Sequence, residues 1–98
     1  MGEAKDDYNL AHIRLSFARL QGWRGHHDSA LEICRVELDK AKQIDSQGII
    51  GTAYLRLAEV YSYQESTELA HEYAQEACEI GLNNNWKILC DEAKALMS

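Results

Sequence analysis

No proline occurs anywhere in the 98 residues. Proline deletes a backbone donor and clashes with the preceding helical turn, so its absence permits long helices without demanding them. Valine is confined to Val36 and Val60 and phenylalanine to Phe17, while alanine and leucine dominate the apolar positions, a balance that leans to helix. No alternation of period two marks a strand. No apolar run is long enough to cross a bilayer, and the polar start MGEAKDDYN has none of the features of a signal peptide. Basic charge is also short. Ten Lys and Arg stand against sixteen Asp and Glu, and residues 51–98 hold only three of the ten against eight acidic groups. An acidic surface repels phosphate backbones and anionic lipid, so nucleic acid and membrane are excluded as partners.

The chemistry of catalysis is missing too. There is no glycine-rich phosphate loop, no nucleophile elbow and no metalloprotease histidine motif, so no enzyme activity and no cofactor are expected. His26 and His27 lie near Cys34, but no Cys-x-x-Cys or His-x-x-x-His spacing supports a metal site. The three cysteines, Cys34, Cys78 and Cys90, are odd in number and each falls in helical pattern. That arrangement is read as buried, reduced thiols in a cytoplasmic protein rather than as a disulfide.

What is present is helical periodicity. Apolar residues make up 46% and charged residues 27% of the chain, enough apolar surface for one small domain and too much for disorder. Five helices are predicted. The first covers residues 3–22, with Tyr8, Ala11, Leu15 and Ala18 on one face. A break at GWRGHHD follows, with Trp23 inside it. The second opens at Ser29, which has capping-box spacing to Glu32, and runs to residue 44. Asp45, Ser46 and Gly48 form the next break. The third aligns Ile50, Ala53, Tyr54, Leu57 and Tyr61. The fourth is capped by Ser66, carries Leu69, Ala70, Tyr73, Ala74, Ala77 and Ile80, and ends at Gly81 and Asn83 to Asn85. The fifth spans residues 86–97. Short connections make neighbouring helices antiparallel, so the fold class is all-α.

The helices also repeat. The stretch YLRLAEVYSYQESTELAHEYAQEA, residues 54–77, places Tyr54, Leu57, Ala58 and Tyr61 ahead of Ala70, Ala74 and Ala77. An earlier copy, LSFARLQGWRGHHDSALEIC, aligns Phe17 and Ala18 with Leu57 and Ala58, and Ala30 and Cys34 with Ala70 and Ala74. Small residues at such places let two helices approach while larger ones fill the gaps. Arg14, Gln21 and Glu37 depart from the pattern, and Glu37 is expected to lean outward. A partial third copy begins at WKILCDEA, with Trp86, Leu89, Cys90 and Ala93 in the aromatic, Leu, Gly and Tyr places.

This pattern resembles the tetratricopeptide repeat, in the long variant of about 40 residues found in bacterial transcription activators, peptide-pheromone sensors and kinesin light chains. The resemblance implies about two and a half repeats of antiparallel helical hairpins in a short right-handed superhelix. Repeat one would cover about 11–46, repeat two about 51–82, and a terminal helix about 85–97, the whole being one domain and a piece of a longer protein.

The same resemblance implies a function. The first helix of each hairpin lines a concave surface that holds a protein or peptide ligand. Here the lining would come from His12, Leu15, Arg19 and Trp23, then Thr52, Leu55, Arg56, Glu59 and Tyr63, then Lys87, Asp91 and Lys94. Trp23, Leu55 and Tyr63 would anchor apolar groups, with Arg19, Arg56, Glu59 and Lys87 orienting the partner. The chaperone-tail clamp of the family, a Lys-Asn-Asn-Lys-Arg set, is replaced by Leu15, Arg19, Leu55 and Glu59, so that ligand is not expected. Glu65, Glu68, Glu72, Glu76 and Glu79 form an acidic ridge, read as a solvated face or a docking strip for a basic partner. Two other roles stay open: self-association into a homodimer or longer superhelix, with the last helix exchanged between chains, and peptide sensing within a transcription regulator.

Overall fold

The computed structural model describes residues 3–97, with side chains from Tyr8 onward. Five helices follow in order: α1 (Glu3–Trp23), α2 (His27–Gln43), α3 (Gln47–Tyr63), α4 (Thr67–Asn83) and α5 (Lys87–Met97). No strand occurs among the described residues. The all-α expectation holds, and so does the number of helices.

The boundaries differ from the sequence reading in a regular way. After α1 the helices open at one even step along the chain, at His27, Gln47, Thr67 and Lys87, and each connection is three residues long. All four connections use the same closure. The amide N–H of the third loop residue donates back to the helix: His26 to the Gln21 carbonyl at 2.8 Å, Ser46 to Ala41 at 2.9 Å, Ser66 to Tyr61 at 2.9 Å and Trp86 to Gly81 at 2.7 Å. The middle residue, Gly25, Asp45, Glu65 or Asn85, takes positive φ. This is a Schellman motif, which satisfies the orphan carbonyls of the outgoing helix. The third loop residue then serves as N-cap of the next helix.

That handover explains three corrections. Helix α2 begins at His27, so Ser29 lies inside it and forms no capping box; the N-cap is His26. Ser66 does occupy an N-cap, but its hydroxyl makes no capping bond. Gly48 and Gly81 are helical and break nothing. Of the three non-glycine residues at left-handed positions, Asp45 and Asn85 adopt that region readily, whereas Glu65 is strained there by about 1–2 kcal/mol. Glu65, at φ 62°, is exposed. Glu65→Gly is therefore expected to raise stability by about 0.5–1 kcal/mol, read as a higher midpoint in thermal unfolding. A lower midpoint would mean that the Glu65 side chain offsets its own strain.

The helices form two unequal layers. Helix α3 is central and packs on α1, α2, α4 and α5. Helices α1, α3 and α5 touch in sequence, whereas α2 and α4 do not meet. The α1–α3–α5 layer is thus the closed, inner side of a curved array, and α2 and α4 splay on the outer side. One core lies between α1, α2 and α3, around Leu15, Ala18, Ala30, Cys34, Leu57 and Val60. A second lies between α3, α4 and α5, around Leu55, Ala58, Ala74, Ala77 and Ala93. Small residues recur where helices cross, as the repeat pattern required. Where α4 meets α5, a Cβ on Gly81 would lie 2.8 Å from the Trp86 carbonyl oxygen.

Three further readings change. Glu37 leans inward, only 4% exposed, where Arg14 and Lys40 reach it at 3.5 and 3.7 Å. Departures from an apolar pattern at Arg14 and Glu37 thus compensate one another. Cys78 and Cys90 are joined in a disulfide between α4 and α5, contrary to the reduced-thiol expectation. Cys34 is free and buried, its thiol pushed up to about 12 chiefly by burial. Trp86 precedes α5, so the register that pairs Phe17 with Leu57 sets it against Ser46 rather than Tyr54. The sequence alignment of the third copy is off by a little more than two helical turns. Small and apolar positions recur under either alignment: in the corrected register Leu89, Cys90 and Ala93 fall on Ile49, Ile50 and Ala53.

Candidate functional site

Residues predicted from two separate segments converge on the inner face. From α1 come His12 and Arg19; from α3 come Leu55, Arg56 and Glu59. Their register is the long repeat itself, which sets His12 beside Thr52 and Arg19 beside Glu59. Glu59 is the hub. Its carboxylate accepts from Arg19 Nε at 3.1 Å and from Arg56 Nη1 one turn earlier on α3. Glu59 and Arg56 are nearly buried, while Arg19 is half-exposed. The pair of guanidiniums on one carboxylate explains how Glu59 is tolerated in the wall of a core: a buried charge needs partners.

Helix α5 completes the face with residues the sequence reading did not name. A cavity of about 220 Å³ is lined by Arg19, Leu55, Arg56, Glu59, Glu92, Ala95 and Leu96. Glu92, Ala95 and Leu96 are the next-repeat counterparts of Thr52, Leu55 and Arg56, so the correct register of the third copy would have found them. Lys87, Asp91 and Lys94, predicted instead, line a different hollow with Gly81, Leu82 and Asn85. Trp23 and Tyr63 lie one helical turn beyond Arg19 and Glu59. Trp23 ends α1 and is 72% exposed, so it is not packed over its own hairpin. Tyr63 is partly exposed beside Gly22. Both extend the face towards the C-terminal ends of α1 and α3 without entering the cavity.

At the other end, the His12 ring packs at 4.4 Å from the Tyr8 ring, and its Nε2 is buried without a hydrogen-bond partner. The Nε of Arg56 is in the same condition. Burial, and then the positive charge of Arg56, hold the His12 pKa below the ordinary 6.5. The unfolded chain therefore takes up a proton at His12 before the folded chain does. Stability contributed by this site is full above pH 6.5 and is lost as pH falls through 6.5 towards the depressed folded value. His12→Gln is expected to flatten that part of the stability–pH curve, measured by urea unfolding at about pH 7.5 and pH 5.5. An unchanged slope would place the titration elsewhere.

A larger hollow, about 500 Å³, opens between the start of α1 and the end of α2, lined by Tyr8, Arg14, Glu37, Lys40, Ile44 and Ile49 among others. Its charged groups are already paired with one another around Glu37. The outer face carries a tyrosine stack: Tyr73 lies between Tyr54 at 6.0 Å and Tyr61 at 5.6 Å, with Arg35 donating to the Tyr61 hydroxyl. The acidic ridge is exposed along α4 at Glu68, Glu72, Glu76 and Glu79, while Glu65 belongs to the preceding loop. Among the described residues no three His, Cys, Asp or Glu side chains gather as a metal site, and no helix is long and apolar enough to cross a membrane. Compared with protein-family models, curated proteins and solved structures, the chain matches none of them.

Proposed function

We propose that this chain is a tetratricopeptide-like interaction module that holds an extended peptide or a helical segment of a partner protein in a regulatory or signalling assembly. The observation that carries the reading is the meeting of Arg19, Leu55, Arg56 and Glu59 with Glu92 and Leu96 in one cavity on the inner face. An apolar floor from Leu55, Ala95 and Leu96 gives a partner side chain somewhere to desolvate. Charges of both signs at the rim fix its orientation, the division of labour expected at a peptide groove. Binding, not catalysis, is what such a set of groups supports. A cytoplasmic setting belongs to the same reading and draws on the free buried Cys34; the Cys78–Cys90 bridge pulls against it, because cytosolic thiols are kept reduced.

The test is selection of peptides from a random display library on the folded chain, followed by titration of the winners by calorimetry. Leu55→Arg and Arg56→Ala are then expected to weaken them at least tenfold. Winners that bind these variants as tightly as the original chain would remove the groove from consideration.

A further inference from the structure

The register of the long repeat shows which apolar face of this fold lies uncovered. Along α3, Ile50, Ala53, Leu57 and Val60 form a stripe packed on α1 and α2, and none is more than 7% exposed. The residues in the same places on α1 are Leu10, Ile13, Phe17 and Leu20. They are equally apolar but lie open, being 41–63% exposed. Their spacing of three, four and three residues is that of a two-helix seam. Val36 of α2 is exposed beside them. Between α1 and α2 lies an open cleft of about 330 Å³, walled by Phe17, Ile33 and Val36 and rimmed by Arg14, Glu32 and Lys40.

We infer that this face is a homodimer interface, occupied by the same face of a second copy across a two-fold axis. Three features of the face select that occupant. The first is area. At roughly 200 Å² per whole large side chain, the exposed parts of Leu10, Ile13, Phe17, Leu20 and Val36 amount to roughly 500 Å². A polar rim brings this to the roughly 800 Å² per partner of a stable interface. The second is charge. The rim carries both signs: Arg14 and Lys40, each about half-exposed, share the single carboxylate of Glu37 in their own chain and keep one positive charge in excess for Glu32 of the other copy.

The third feature is the far end of the array. In the register of Gln47, Gly51 and Tyr54 on α3, α5 carries Lys87, Asp91 and Lys94, all exposed. Stacking that end on the α1 stripe of the next copy would bury Asp91 and Lys94 against apolar side chains, at a cost that an open filament would bear at every contact. Face-to-face closure buries the stripe without that cost. The inference does not depend on the peptide groove, which lies on the opposite side of α1.

Light scattering after size exclusion, from low micromolar to near-millimolar chain, tests it. The expected mass is roughly 22 kDa, twice the 11.1 kDa of one chain, falling towards 11.1 kDa only on dilution. Phe17→Glu is expected to raise the dissociation constant at least about 100-fold, since it buries a charge at the centre of the seam. Val36→Glu acts from the other helix and should do the same, with helicity checked by circular dichroism for both. Ile88→Glu, at the far end, should leave the dimer intact. A monomer at every concentration, a dimer indifferent to Phe17→Glu and Val36→Glu, or a mass that grows without limit would each overturn the inference.

Discussion

Glu59→Ala is expected to lower stability by about 2–3 kcal/mol, well beyond the effect of an ordinary surface charge. The carboxylate is the shared partner of Arg56 and Arg19. Without it the Arg56 guanidinium, whose side chain is only 15% exposed, keeps a buried Nε that already has no acceptor and loses its ion partner as well. Leaving such a group unpaired costs more than the intact pair contributed. Arg19 is half-exposed and water replaces most of what it loses, so Arg19→Ala should cost under about 1 kcal/mol. Urea titrations of both variants, at unchanged slope, give the comparison. Equal losses would show that Arg56 is not the group that Glu59 holds.

The second large effect is at Gly81. A methyl group there gains about 1 kcal/mol of helix propensity, yet its position lies 2.8 Å from the Trp86 carbonyl oxygen and 3.1 Å from the Cys90 amide nitrogen. Both obstacles are backbone and neither can rotate aside, so α5 must lift from α4. A net loss of about 2 kcal/mol is expected for Gly81→Ala, read in thermal unfolding together with a drop in helical signal from α5. Gly51 makes the control. The atom nearest its added methyl, at 2.7 Å, is the tip of the Leu89 side chain, which can move. Gly51→Ala should therefore cost clearly less, and the reverse order would mean that the α4–α5 crossing is looser than described.

The helices were legible in the sequence because their apolar residues recur at three and four, and because no strand signal competed. Their ends were not. Ser29 with Glu32 has the letters of a capping box, but tertiary geometry ended α1 by backbone bonds alone and started α2 at His27 instead. Glu37 illustrates a second limit. An acid on an apolar face reads as outward, and only the fold shows that Arg14, on another helix, comes within 3.5 Å. Arg19, Leu55, Arg56 and Glu59, which share the inner-face cavity, could be set side by side in advance because one clear copy and one weaker copy fixed their register. Glu92, Ala95 and Leu96 were missed because Trp86 drew the third copy to the aromatic place of the repeat, whereas it closes a loop.

That common loop has a consequence for how such a molecule can be edited. Each helix after the first leaves the same three-residue hinge, and the hinges recur at one even step along the chain. A two-helix block cut from hinge to hinge, such as 27–66, therefore ends in the same backbone geometry in which it begins. Copies of that block can be spliced in or removed with both junctions unchanged. The length of the inner face is then a matter of gene arithmetic rather than of redesign.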